Sequence, residues 1–172
     1  RTDGCNTIDI GAMAMPALLM MIFLMFIGGG SGSTAGGIKT STFALVFLSA
    51  AATIRGKKDI NLYKNKIPWE LMNRAFAVFL FAIVFIFLGI FTLTILEPEL
   101  AFLELAFEQV SAFCTVGLST GITADLSFGS KAVIMLSMLV GRVGTLTLAF
   151  ALSGARPESN TFTYPKGNMH VG

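Results

Sequence analysis

Long runs of this chain carry no charged side chain. Residues 11–38, 40–54 and 75–96 contain no Asp, Glu, Lys or Arg and consist mostly of Ala, Ile, Leu, Met, Phe and Val. A helix needs about 20 apolar residues, at 1.5 Å each, to cross the hydrocarbon core of a bilayer. The pattern therefore predicts an all-α membrane protein.

The first apolar region is interrupted. Residues 11–27 and 38–54 are apolar, and a glycine-rich run separates them where a membrane helix would otherwise continue. Backbone N–H and C=O groups cannot stay unpaired in lipid, so such a run must be buried in protein or line water. We expect a flexible intramembrane gating loop (28–37), followed by Lys39. Its residues are Gly28, Gly29, Gly30, Ser31, Gly32, Ser33, Thr34, Ala35, Gly36 and Gly37.

The second half of the chain predicts a helix, a short helix, a loop and another helix. The span 75–96 ends at Glu97-Pro98-Glu99, and the 14-residue stretch 100–113 follows. At about 21 Å, this stretch is too short to cross a membrane. We therefore predict a re-entrant pore helix, and then a second crossing over residues 131–152.

Two loops predict an internal repeat, because each places Gly two residues after Thr, before an apolar segment. One is Thr2-Asp3-Gly4-Cys5-Asn6, and the other is Thr115-Val116-Gly117-Leu118. Potassium needs oxygen ligands in place of its hydration shell, and inward-facing backbone carbonyls of such a loop supply them. Glycine permits the required backbone conformations. The alternative for residues 115–118 is an ordinary helix-ending turn.

The expected organisation has four parts. Residues 1–55 hold one loop and the broken inner helix, and residues 56–70 form a connection. Residues 71–155 form a complete outer helix, pore helix, loop and inner helix, and residues 156–172 form a polar tail. Positive charge at 55–74 predicts a cytoplasmic connection by the positive-inside rule, with the tail also cytoplasmic.

Two basic residues lie at predicted membrane depth, where an unpartnered charge costs several kcal/mol. Arg142 lies in the middle of the last apolar segment, and Lys39 follows the glycine-rich run. We expect both to have functional positions, facing a cavity or a partner. Glu108, near the end of the short helix, is expected to hold the loop through backbone N–H groups.

Composition changes the picture little. Hydrophobic residues make up 54% and charged residues 13% of the 172 residues, and the net charge of +2 gives no reason to expect nucleic-acid binding. Cys5 and Cys114 are expected to be packing residues. The opening residues do not have the pattern of a signal peptide, and we expect that the chain begins within a longer protein.

Two other functions are compatible with parts of the sequence. Residues 32–40 nearly match a phosphate-binding loop, which would imply a nucleotide-dependent membrane enzyme, but Ile38 breaks the spacing. A helix broken by glycine also occurs in secondary transporters that bind substrate at mid-membrane. We find no catalytic constellation in the sequence and do not expect an enzyme.

The motifs taken together resemble the Trk/Ktr superfamily of potassium transporters, most closely the Ktr-type membrane subunit. Members of this family have four repeats, each with a filter loop that coordinates the ion. Residues 107–119 and 141–147 resemble the fourth repeat, residues 1–7 resemble the third filter, and residues 28–40 resemble the gating loop. Asp3 and Cys5 depart from the family pattern.

The resemblance implies a plasma-membrane protein with four repeats around one pore, of which this chain holds the second half. It also implies that Arg142, in the inner-helix motif at 141–144, projects into the pore below the filter and meets the gating loop. It implies uptake of K⁺ through filter carbonyls, often with Na⁺ dependence, and no bound cofactor. The implied partners are the N-terminal half of the same protein, a second copy in a homodimer, and a cytoplasmic nucleotide-binding regulatory subunit.

Overall fold

The described part of the chain is helical apart from one minimal β hairpin. In the computed structural model it comprises residues 10–30, 36–55, 61–62, 65–66 and 69–143. The elements are α1 (Met15–Phe26), α2 (Thr40–Ile54), β1 (Asn61–Leu62), β2 (Asn65–Lys66), α3 (Trp69–Leu96), α4 (Phe102–Phe113), a 3₁₀ turn (Ile122–Ala124) and α5 (Phe128–Val143). The two strands pair antiparallel.

Within these residues, one helix is long and apolar enough to span a membrane, by length and composition. This is α3, over residues Leu71–Leu96. The apolar helices α1 and α2 are shorter, with 12 and 15 residues. They flank the glycine-rich run as the sequence predicts: α1 starts at a proline in its first turn, which suits a helix N-terminus, and ends before Gly28.

The ends of α1 and α2 are tied together next to the glycine-rich run. The Gly28 N–H donates to the Ile38 carbonyl at 2.9 Å, and the Thr40 N–H donates to the Gly29 carbonyl at 3.2 Å. A Cβ at position 28 would lie 2.6 Å from the Ile38 carbonyl oxygen, so only glycine allows this approach. These four backbone groups at the two sides of the break are thus paired within the protein.

The predicted short helix lies at the centre of the structure. Every residue of α4 from Leu105 to Phe113 is buried, and α4 packs against α1, α3 and α5. Large apolar side chains on the outer faces of α3 and α5 are exposed instead; Phe87, for example, is 66% exposed. An apolar exterior around a helix that carries Glu and Gln is the distribution expected when the surrounding solvent is lipid.

Gln109 joins three helices in this centre. Its side chain is fully buried and occupies a notch at Gly89 on α3, where any Cβ would overlap the amide. Its Nε2 donates to Ser137 Oγ on α5 at 2.8 Å, and Ser137 Oγ donates to the Val133 carbonyl at 2.9 Å. Gln109 Oε1 has no hydrogen-bond partner among the described residues.

Glu97 connects the end of α3 to the start of α5. Its Oε1 accepts hydrogen bonds from the Ser127 N–H and the Ser130 hydroxyl, both at 2.8 Å. These bonds favour the ionised carboxylate and lower the pKa of Glu97, with the Ser127 N–H as the largest cause, followed by the two serine hydroxyls. Helix α5 consequently begins at Phe128, three residues before Lys131, where the sequence predicted this crossing to start.

We expect Gly89→Ala to destabilise the protein, because Gln109 cannot clear the added methyl without leaving Ser137. Overpacking of this kind costs about 1–3 kcal/mol. The thermal midpoint of the detergent-solubilised protein measures it. Gly129→Ala is the matched control, since a Cβ there meets its nearest neighbour at an ordinary 3.6 Å. A Gly89→Ala midpoint equal to that of the control would show that the notch is not required.

We also expect a pH-dependent contribution from Glu97. Because its pKa in the folded state is lowered from 4.5, the ionised form contributes stability above pH 4.5 that disappears as pH falls through the lowered value. Wild type should therefore exceed Glu97→Gln in thermal midpoint at neutral pH, and the difference should shrink below pH 4.5. Glu99→Gln serves as the control, and a difference independent of pH would contradict the assignment.

Candidate functional site

The loop after α4 has an unusual backbone. Thr115 has φ +52° and Gly117 has φ +83°, whereas Cys114 between α4 and the loop has φ −80°. A β-branched residue at positive φ is a genuine outlier that persists only where its surroundings hold it. The Val116 N–H donates to the Ser111 carbonyl at 3.0 Å, which folds the loop back onto the end of α4.

Two side chains on one face of α4 hold the returning chain. Ser111, one helical turn after Glu108, donates its hydroxyl to the Leu118 carbonyl at 2.5 Å. Glu108 Oε1 accepts from the Ser119 hydroxyl at 2.5 Å and from the Thr120 N–H at 3.0 Å. Positions 108 and 111 are neighbours on a helix surface, so one face of α4 determines the path of the loop.

Glu108 is a nearly buried carboxylate, 5% exposed. Its second oxygen accepts from the Thr123 hydroxyl at 3.1 Å. A buried charge is tolerated when hydrogen bonds replace its hydration, and hydroxyl and N–H donors from the loop do so here. The sequence suggested backbone N–H partners for Glu108 but missed these hydroxyls; the signal was a cluster of Ser and Thr at 119–123 next to an acidic residue in an apolar region.

A cavity of about 640 Å³ lies beside the loop. Thr115, Gly117 and Leu118 line one part of it, and Glu108 and Arg142 line others. Val116 is buried in the apolar core and does not line the cavity. The structure therefore brings Arg142 of α5 to the same cavity as three of the four predicted loop residues.

The end of the glycine-rich run reaches the same place. The Gly36 N–H donates to Thr115 Oγ1 at 2.8 Å, and the Gly37 N–H donates to the Gly141 carbonyl at 3.4 Å. Gly141 has no space for a Cβ, which would overlap the Phe113 carbonyl oxygen. Loop, broken helix and α5 thus meet at the C-terminal end of α4.

Other predicted site residues do not line this cavity or lie outside the described residues. Lys39 precedes the first turn of α2 as its N-cap residue and is partly buried. The first loop, Thr2, Asp3, Gly4, Cys5 and Asn6, lies outside the described residues, as do positions 31–35 of the gating loop. Gln109, Gly89 and Ser137, which position α4, were not recognised from the sequence.

A polar loop held by the buried Glu108, together with an apolar exterior and two apolar helices separated by a glycine-rich run, is the arrangement expected of a helical membrane protein. The family model described as TrkH, cation transport protein, matches residues 1–164. The chain belongs to this family.

Individual relatives agree. The chain is 41% identical to Ktr system potassium uptake protein B of Bacillus subtilis over all its 172 residues, and 40% identical to the protein of the same name from Vibrio alginolyticus. It is 37% identical to potassium/sodium uptake protein NtpJ of Enterococcus hirae. All of the chain is covered in these three matches, which span 38%, 37% and 39% of the relatives' own lengths.

We expect Glu108→Ala to lower the thermal midpoint of the protein strongly, because it leaves the donors of residues 119–123 without their acceptor. Buried donors left unsatisfied cost about 1–3 kcal/mol each. Glu108→Gln, which retains one carbonyl oxygen, should lie between Ala and wild type. Glu104→Ala, on the first turn of α4, is the control. Equal midpoints for the two Ala variants would contradict a bracing role for Glu108.

Proposed function

We propose that this chain forms part of the ion pathway of a potassium uptake transporter, with residues 115–118 as one filter segment. The observation that carries the proposal is the loop with positive φ at Thr115 and Gly117, held by Glu108 and Ser111 beside a cavity. The printed names of the relatives, which are potassium or potassium/sodium uptake proteins, point to the same cargo.

Electrostatics of α4 favour a cation at this loop. The helix ends at Phe113, immediately before the loop, so the negative end of its dipole lies there. Carbonyl oxygens of the loop then replace the water around a dehydrated K⁺. Potassium is the cargo of the site, and no cofactor is part of the proposal.

The depth of the loop supports a re-entrant pore helix. α4 has 12 residues, which is about 18 Å, and its last carbonyl contacts α5 at Gly141. Gly141 lies 13 residues after the start of α5 at Phe128, or about 20 Å along that helix. In our proposal α5 enters the hydrocarbon core at Phe128, so that the end of α4 lies inside a core about 30 Å thick rather than on its far side.

The broken helix and Arg142 suit a gate. Gly28 and Gly36 belong to the segment between α1 and α2, and Arg142 lines the cavity next to Thr115. A guanidinium on a cation pathway raises the barrier to entry. We infer that residues 28–37 close the pathway beneath the filter, with Arg142 adding an electrostatic barrier in the closed state.

The whole transporter is larger than this chain. In our proposal the N-terminal half of the same protein supplies two further repeats, so that four filter segments surround one pore. Two copies form a homodimer in the plasma membrane, and a cytoplasmic nucleotide-binding subunit regulates uptake. The basic connection at 55–74 and the tail face the cytoplasm, and uptake depends on Na⁺.

We expect Gly117→Ser in the full-length transporter to raise the K⁺ concentration for half-maximal uptake by about tenfold and to let Na⁺ compete. A side chain at φ +83° costs about 1–3 kcal/mol of strain, and 1.4 kcal/mol is a factor of ten in binding. Uptake by cells that lack other potassium uptake systems measures both effects.

Gly129→Ser is the matched control, because position 129 is exposed at the start of α5 and has room for a Cβ. Membrane insertion of each variant is checked by immunoblot. Unchanged half-saturation and unchanged Na⁺ competition in properly inserted Gly117→Ser would overturn the filter assignment.

A further inference from the structure

Thr115 makes a contact that coordination of an ion by backbone carbonyls does not explain. Its hydroxyl accepts a hydrogen bond from the Gly36 N–H, 79 residues earlier in the chain, at 2.8 Å. This is a direct link between the proposed filter segment and the proposed gating loop.

The contact is closely fitted. A Cβ at position 36 would lie 2.6 Å from Thr115 Oγ1, 2.7 Å from Thr115 Cγ2 and 2.9 Å from the Gly141 carbonyl. Gly37 has φ +74°, and a Cβ there would lie 3.0 Å from Cys114 Sγ. Two adjacent glycines are therefore required for the backbone to lie against the end of α4 and the side of α5.

The contact is also connected to α2 through backbone hydrogen bonds. Ile38, the residue after Gly37, pairs with Gly28, and Thr40 at the start of α2 pairs with Gly29. Ile38 itself is fully buried. A displacement of Gly36 from Thr115 therefore moves a segment that is bonded to the ends of both α1 and α2.

We propose that the Thr115 side chain is a positioning residue that docks the gating loop onto the filter. Its hydroxyl holds Gly36 in the closed position, and the Gly37 N–H bond to Gly141 assists it. This inference rests on the proposed function. We call the Thr115–Gly36 hydrogen bond the latch. Because Thr115 belongs to the proposed filter and also forms the latch, ion occupancy of the filter and closure of the gating loop bias each other.

The test is a comparison of Thr115 variants in the full-length membrane protein, purified without other subunits and reconstituted in proteoliposomes. Thr115→Val keeps the shape of the side chain and removes the acceptor. We expect its maximal K⁺ flux to rise about fivefold over wild type, the factor by which one net hydrogen bond shifts an equilibrium. Thr115→Ser keeps the hydroxyl and should give a flux well below that of Val.

A matched control separates the latch from general effects of losing a hydroxyl. The Thr92 hydroxyl on α3 donates a hydrogen bond to the Leu88 carbonyl of the same helix at 2.8 Å. Thr92→Val should leave the flux unchanged.

A second variant changes the other partner of the same contact, Gly36. The methyl of Gly36→Ala would overlap Thr115, so this variant should also raise the flux. The double variant Gly36→Ala/Thr115→Val should give no further increase, since both changes break one contact. Independent, multiplying effects of the two changes would overturn the proposal.

The flux readouts distinguish this inference from the filter assignment. A latch predicts a higher maximal flux, whereas a purely ion-lining role for Thr115 predicts altered half-saturation and Na⁺ competition without a rise in flux. The second result, or a flux that only falls, overturns the latch. If Gly117→Ser changes selectivity while Thr115→Val does not raise flux, the filter assignment stands and the latch fails.

Discussion

Pairing of backbone groups away from water is the constraint on which this structure depends. Three helix termini show it: α1 ends at Phe26, α2 begins at Thr40, and α4 ends at Phe113. Each end releases N–H and C=O groups that lipid cannot satisfy. The broken helix pairs with itself across Gly28 and Ile38, and the loop after α4 folds back onto Ser111.

Polar side chains complete this pairing, and they do so from α4. Glu108 and Gln109 are adjacent on the helix and therefore point in different directions. Glu108 binds the loop through Ser119, Thr120 and Thr123, whereas Gln109 enters the notch at Gly89 and binds Ser137. One short helix thus orients the loop and is itself oriented by α3 and α5. Such buried polar groups specify a single arrangement because any other would leave them unpaired.

Close contacts with polar groups explain the positions of several glycines. Gly36 lies against Thr115, Gly89 against Gln109, and Gly141 against the carbonyl of Phe113. In each case the partner is a polar group that a methyl would displace. The arrangement brings the broken helix, the short helix and α5 together at one point, which is the point at which we propose the gate.

The sequence by itself determined the class of the protein and most of its helices. Charge-free runs and the glycine-rich break predicted α1, α2 and α3, and length alone separated α4 from the spanning segments, since 14 residues cannot cross a bilayer. The helix ends were less accurate: α3 begins at Trp69 and α5 at Phe128, outside the apolar runs, because apolar composition follows membrane depth whereas a helix continues into polar turns. Only the tertiary structure decided which distant residues meet. Nothing in the local pattern pairs Gly36 with Thr115 or Gly89 with Gln109, because these contacts depend on how the helices pack, and packing joins residues that no periodicity along the chain connects.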